Sequence, residues 1–323
     1  MDIETSRQWL LERLKQSVNN TGVRLPAGIK FQVGSKEDAI SMHLARDSKG
    51  ELCVTANMQT DPAAFEGWAL VIRAHIPGIN SVRLTWDVPS DRNDRHYQRF
   101  LYRVDRFSKA FQEWFVCTQP DKEYSKIRDG QASGYYKLNV PTKDRTGIPP
   151  SVSPGSERWL ERMLVGALRD KFMDKAGLKI LGNQLPVGVF DGEVATLTAV
   201  FTGKASAIDL WGINADGDEL SLFELKKSGN AKVGAVTELF FYAMVMKDVV
   251  DGRFAFTEKR QAVVQPWPAK HITGKIRRIK AYLLVDEPHC LVTPQVLDIM
   301  DKTLAVQGIS VKKLWLDELG TKK

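Results

Sequence analysis

The sequence predicts an α/β protein built as two domains. Residues 207–226 alternate apolar and polar side chains around a cluster of turn formers, as a strand hairpin would. Several other segments repeat their apolar residues at helical spacing. The chain has 323 residues, more than one hydrophobic core usually serves.

The elements of the first half follow in order. Residues 4–18 read as a helix carrying Trp9, Leu10, Leu14 and Val18. Residues 28–58 suggest three short strands, broken at Gly34-Ser35-Lys36 and Ser48-Lys49-Gly50. Pro62 is placed to start a helix reaching about residue 76, and SVRLTWDV at 81–88 reads as a strand. Residues 93–116 form a long amphipathic helix. Tyr97, Leu101, Val104, Phe107, Phe111 and Phe115 make one face, and Arg95, Arg99, Arg103 and Arg106 the opposite stripe. That stripe suits contact with phosphates, or a solvated face paired with acids such as Asp105. Residues 1–117 are thus expected as an accessory α/β domain that binds nucleic acid, a protein partner or a second copy. Residues 118–152 hold Pro120, Pro141, Pro149, Pro150, Gly130, Gly134 and Gly147 and read as a linker with a short strand at 135–140.

The second domain is expected over 153–323. Ser156 is a plausible N-cap for a helix with Trp159, Leu160, Met163, Leu164, Ala167 and Leu168 as its buried stripe. Residues 179–206, with Gly192 and Gly203, are expected to hold an extra strand or hairpin. Two strands then flank the turn-rich Asn-Ala-Asp-Gly-Asp at 214–218. Residues 231–248 read as a helix with Val236, Leu239, Phe240, Ala243 and Met244 in register. A strand at 276–286, a helix at 294–307 with Pro294 in its first turn, and a strand at 309–316 complete the chain.

The hairpin carries the chemistry. Folding at 214–218 brings Asp209 beside Glu224. Glu224 and Lys226 share a strand face because side chains alternate. Two carboxylates are hard oxygen ligands suited to Mg²⁺ or Mn²⁺, and an adjacent ammonium can orient a water or offset phosphate charge. Charged groups framed by Ile208, Leu210, Leu222, Phe223 and Leu225 are costly unless they are paired or bind a metal.

This pattern resembles the PD-(D/E)XK nuclease superfamily, whose site is an acid on one strand and E-x-K on the next. Asp209, Glu224 and Lys226 stand where that motif requires them. The nearest look is to mismatch and single-strand-junction endonucleases and Holliday-junction resolvases, which read similarly as I-D-L … E-L-K. The resemblance covers about 153–317. It implies a restriction-endonuclease-like αβββαβ core with a mixed central sheet, and Mg²⁺-dependent phosphodiester hydrolysis leaving a 5′ phosphate; DNA is favoured over RNA as the substrate, and the sequence does not decide between them. It also implies a carboxylate from the first helix; Glu157 lies in the S-E-R context and Glu161 one turn later, and Glu157 is the preferred candidate. The family often places Gln and Tyr on the helix after E-x-K, where this chain has Glu238 and Tyr242. Glu238 could add a ligand, pair with Lys226 or Lys227, or stay solvated. The first half has a similar predicted order of elements but no acid and E-x-K set, since ELCVTANM stands at the corresponding place. A non-catalytic binding module with the same fold, or an interaction protein acting through its first half, are the alternatives.

Composition narrows the setting. Cys53, Cys117 and Cys290 are far apart with no C-x-x-C, which disfavours a zinc site or disulfide framework and suits a reducing, cytoplasmic compartment. The five histidines show no metal-binding spacing, and no apolar run reaches membrane-spanning length. No phosphate-binding G-x-x-x-x-G-K-S loop occurs. The net charge of +7, shared by both halves, is compatible with a nucleic-acid partner.

Overall fold

The computed structural model describes residues 1–142, 147–149, 151–201, 206–227, 229, 232–258 and 266–316. Pro150, Gly203 and everything beyond 316 lie outside the described residues. In chain order come α1 (Ile3–Ser17), β1 (Ile29–Val33), β2 (Ala39–Leu44), α2 (Phe65–His75), β3 (Ser81–Trp86), α3 (Arg95–Ala110), β4 (Phe115–Cys117) and β5 (Tyr136–Leu138). Then follow α4 (Glu157–Val165), α5 (Arg169–Ala176), β6 (Leu178–Pro186), β7 (Val189–Asp191), β8 (Ala207–Asn214) and β9 (Glu219–Leu225). The chain continues through α6 (Gly234–Val250), β10 (Phe254–Phe256), α7 (Pro268–His271), β11 (Arg278–Leu284), α8 (Pro294–Leu304) and β12 (Ile309–Leu314). The protein is α/β, as its alternating periodicities predict.

Two compact units divide the chain, and their segments interleave. The first takes residues 1–127, 232–238 and 288–303; the second takes 128–231, 239–287 and 304–323. This differs from the contiguous halves expected. Segment 118–152 is also more than a linker, because β5 pairs with β7 and β10 in a three-stranded sheet. Proline and glycine content marks irregular backbone but cannot show that three residues within it complete a distant sheet.

In the first unit, β1–β2–β3–β4 form one sheet in that order. β1 and β2 are antiparallel, whereas β2, β3 and β4 run parallel. Alternate residues along every strand are buried, so one sheet face packs on the core. Only two strands precede α2, not three. Asp47 Oδ1 accepts from Lys49 N at 2.8 Å and Glu51 N at 3.0 Å, folding a side-chain-capped turn. Beyond it, Cys53–Thr55 close into a 3-10 turn instead of a strand. A second 3-10 turn at Asp61–Ala63 holds Pro62, so the α-helix proper begins three residues later at Phe65.

The second unit is built on the sheet β12–β11–β9–β8–β6. β6, β8 and β9 form an antiparallel meander, and β11 and β12 then add parallel to β9. The connection from β9 to β11 runs through α6. In chain order α4 and α5 precede β6, β8 and β9 of this sheet, and α6 precedes β11 and β12, with β7 and β10 in the three-stranded sheet. β6 is the outermost strand of the meander, and the extra strand expected within 179–206 is β7 of the three-stranded sheet. The hairpin turn is fixed by Asn214, whose Oδ1 accepts from Asp218 N at 3.1 Å and Glu219 N at 3.0 Å, with Gly217 at φ 75°. Leu210, Phe223 and Leu225 pack with Leu160, Leu164 and Phe172 of α4 and α5.

Candidate active site

The site lies where the meander opens. The β8–β9 ladder ends at the pair Leu210–Phe223, while β8 stays paired with β6 to Ala207 and β9 with β11 to Leu225. The two strands part at this point. Asp209 and Glu224, one step beyond the last pair, stand across the fork from each other. Leu225 N, freed from the ladder, donates to Asp209 Oδ2 at 3.0 Å, so the carboxylate replaces a missing backbone acceptor.

Glu224 is 2% exposed, and its Oε1 accepts from Lys226 Nζ. Lys226 is held from behind by its backbone N–H, which donates to Leu284 O at 3.0 Å. A buried carboxylate paired with an ammonium keeps its charge at a cost that an unpaired one could not bear. The alternation expected of E-x-K is present: Leu225 enters the core while Glu224 and Lys226 meet each other.

α4 delivers two more carboxylates. Its first turn is capped by Ser156, whose Oγ accepts from Trp159 N at 3.2 Å, as the sequence predicts. Glu157 Oε1 accepts from Lys227 N at 3.1 Å. Glu161 is buried; Asn183 Nδ2 donates to its Oε1 at 2.7 Å and Gln184 Nε2 to its Oε2 at 2.9 Å. Gln184 Nε2 also lies 3.5 Å from Asp209 Oδ1. Glu161 is thereby linked to Asp209 through one amide, which the sequence preference for Glu157 did not anticipate.

Gln184 is the residue that sequence reasoning missed. Successive strand side chains point to opposite faces, yet Asn183 and Gln184 donate to the same carboxylate. The backbone of Gln184 makes this possible by adopting φ 51°, a left-handed conformation costly for a residue with a Cβ. A glutamine within an apolar strand pattern carries no sequence signal of that conformation. Gly147, Ile148, Pro149, Arg158 and Arg162 join Glu157, Glu161, Gln184, Asp209 and Leu225 around an open cleft of ≈ 860 Å³.

The donor set suits a divalent ion of the Mg²⁺ type, which binds one or two carboxylates and keeps water and substrate oxygens as its other ligands. Asp209 and Glu224 supply two such carboxylates at the fork. Among the described residues no group of three or more His, Cys, Asp or Glu side chains is arranged as a complete cage.

Two expectations are corrected. Glu238 is not solvated: it is fully buried, and Gln59 Nε2 donates to its Oε1 at 2.5 Å. The arginines of α3 do not make a solvated stripe. Arg99 and Arg103 are each 2% exposed. Arg103 donates through Nε to Glu66 Oε1 at 2.7 Å and through Nη2 to Ala63 O at 2.8 Å. Arg106 is half-buried with its guanidinium 5.4 Å from the Tyr102 ring centre, and only Arg95 is exposed. A buried guanidinium engaged with a buried carboxylate is not available to a phosphate backbone.

No family model matches the chain, and the comparisons with curated proteins and with solved structures gave no match.

Proposed function

We propose that the protein is a Mg²⁺-dependent nuclease that hydrolyses phosphodiester bonds, with DNA as its substrate. One observation carries this reading: Asp209, Glu224 and Lys226 converge at the open end of a three-stranded meander that α6 connects to a parallel fourth strand. Asp209 and Glu224 would hold Mg²⁺ or Mn²⁺. The bound ion would make water a better nucleophile at neutral pH and offset charge on the phosphoryl oxygens.

The chain's own groups do the rest. Lys226 would direct a lone pair of the attacking water toward phosphorus and stabilise negative charge as it builds. Leu225 N–H and the Gln184 amide fix Asp209 from two sides. Glu161 anchors that amide, acting as a positioning residue. Arg158, exposed on the cleft wall, suits a polyanionic substrate.

Incubation of the purified protein with labelled DNA and RNA, with Mg²⁺ or EDTA, tests the proposal. Metal-dependent cleavage is expected. Binding without cleavage under every condition would favour a non-catalytic module of the same architecture.

A further inference from the structure

The first unit presents a sheet face that no described residue of that unit covers. Parallel sheets normally have both faces buried. Here β2, β3 and β4 are parallel, yet alternate residues on each of them stay exposed or half-exposed. The strand register arranges those residues in two rows. One runs Lys30, His43, Thr85 and on to Thr118; the other runs Gln32, Ser41, Arg83 and Val116. Together they line an open depression of ≈ 690 Å³.

The chemistry of that face is one-sided. Lys30 and Arg83 are exposed and make no ion pair or side-chain hydrogen bond with any described residue. No carboxylate lines the depression. Asp87, just beyond β3, is engaged by His43 Nε2 at 3.1 Å, while His43 Nδ1 lies 3.0 Å from Thr85 Oγ1. Gln32, Ser41, Thr85 and Thr118 add neutral donors. Ile3, Leu84 and Val116 are the apolar lining residues and none is aromatic, too little to form the dry, aromatic-rich centre of a protein interface.

We infer that this face binds the sugar-phosphate backbone of a nucleic acid, through Lys30 and Arg83 with the hydroxyl and amide row between them. Arg, Lys, Ser, Thr and Gln are the side chains that contact phosphate oxygens without reading sequence. Two strands and one row separate the two cations, about 12 Å from strand spacing and rise, so one strand can contact both. No Phe, Tyr or Trp lines the depression, and the His43 ring is held by Thr85 and Asp87, so the face lacks a broad stacking platform and binding is indifferent to base identity. This contact takes the place of the buried α3 arginines and is independent of the nuclease reading.

The test is a titration of Asp209→Asn protein, which keeps substrate intact, with labelled single-stranded and duplex DNA at several salt concentrations. Replacing Lys30 and Arg83 together by Gln should weaken binding to every sequence. The slope of log affinity against log salt should fall by about 1.4 to 1.8, since each lost phosphate contact removes roughly 0.7 to 0.9. The Lys30→Arg/Arg83→Lys swap should restore the slope, and Lys109→Gln on α3 should leave it unchanged. An unaltered slope in the Gln double variant, or no binding by the parent protein to either DNA form, overturns the inference. A swap that fails to restore the slope in a normally folded protein does so too.

Discussion

Gln184 spends conformational energy to sit between two carboxylates. Its left-handed φ costs a side-chain-bearing residue roughly 1–2 kcal/mol, which glycine escapes. Gln184→Gly should therefore be more stable than Gln184→Ala by about 1 kcal/mol in urea unfolding, although both lose the amide. Both should lose cleavage rate to a similar degree, since the bridge to Asp209 and Glu161 is gone in each. Equal stabilities would mean that the backbone there is not strained. Lys226 invites a different test. Lys226→Ala should lower kcat by about 3 kcal/mol of transition-state stabilisation while Mg²⁺ still binds, because the ammonium acts where charge develops. Loss of Mg²⁺ binding in calorimetry with kcat preserved would contradict that role. Asp209, Glu224 and Lys226 were legible in the sequence because strand alternation and turn chemistry are local. Gln184 was not, because its role depends on α4 returning to β6.

At the scale of elements, α3 shows how periodicity can mislead. Its aromatic face was readable, and Tyr97, Leu101, Val104 and Phe107 are indeed buried. Spacing alone then assigned the remaining arginines to water. Arg99 and Arg103 are buried instead, and the partner of Arg103 is Glu66 on α2, thirty-seven residues away. Thr237 Oγ1 also donates to Glu66 at 3.3 Å. Arg103→Met should destabilise the protein by about 3–5 kcal/mol, because it strands a buried carboxylate. Glu66→Gln added to Arg103→Met should recover part of that loss. Chemical denaturation of the two variants measures both effects, and additive destabilisation would show that the pair is not coupled. The β8–β9 hairpin, by contrast, formed where the sequence placed it, since its turn residues and apolar alternation agree.

The whole molecule departs most from its sequence reading in its interleaving. The first unit takes in residues 232–238 and 288–303, so α8 belongs with elements far earlier in the chain. No local signal reports such a return. A fragment of 153–323 should consequently fail to fold alone, leaving the apolar residues Val296, Leu297 and Met300 of α8 without their unit. A dispersed, cooperative NMR spectrum from that fragment would contradict this. Stability should also fall on acidification. Burial holds His75, His96 and His289 below the usual imidazole range. The unfolded chain then takes up protons first, so stability drops as pH falls below about 6.5 and the loss is complete below the folded values. His75→Gln should flatten this acid limb, because a Gln amide can replace the donation from His75 Nε2 to Leu291 O at 3.0 Å. Asp61, raised by burial, acts with the opposite sign at lower pH.

The central claim is that the fork between β8 and β9 is a hydrolytic metal site. Cleavage of labelled DNA by the parent protein and by Asp209→Asn, at matched Mg²⁺ and with EDTA as control, tests it most directly. The parent should cut only with the metal, and Asp209→Asn should lose cleavage by several orders of magnitude while keeping its fold and its DNA affinity. Full cleavage by Asp209→Asn in Mg²⁺, or undiminished cleavage by the parent in EDTA, would contradict it.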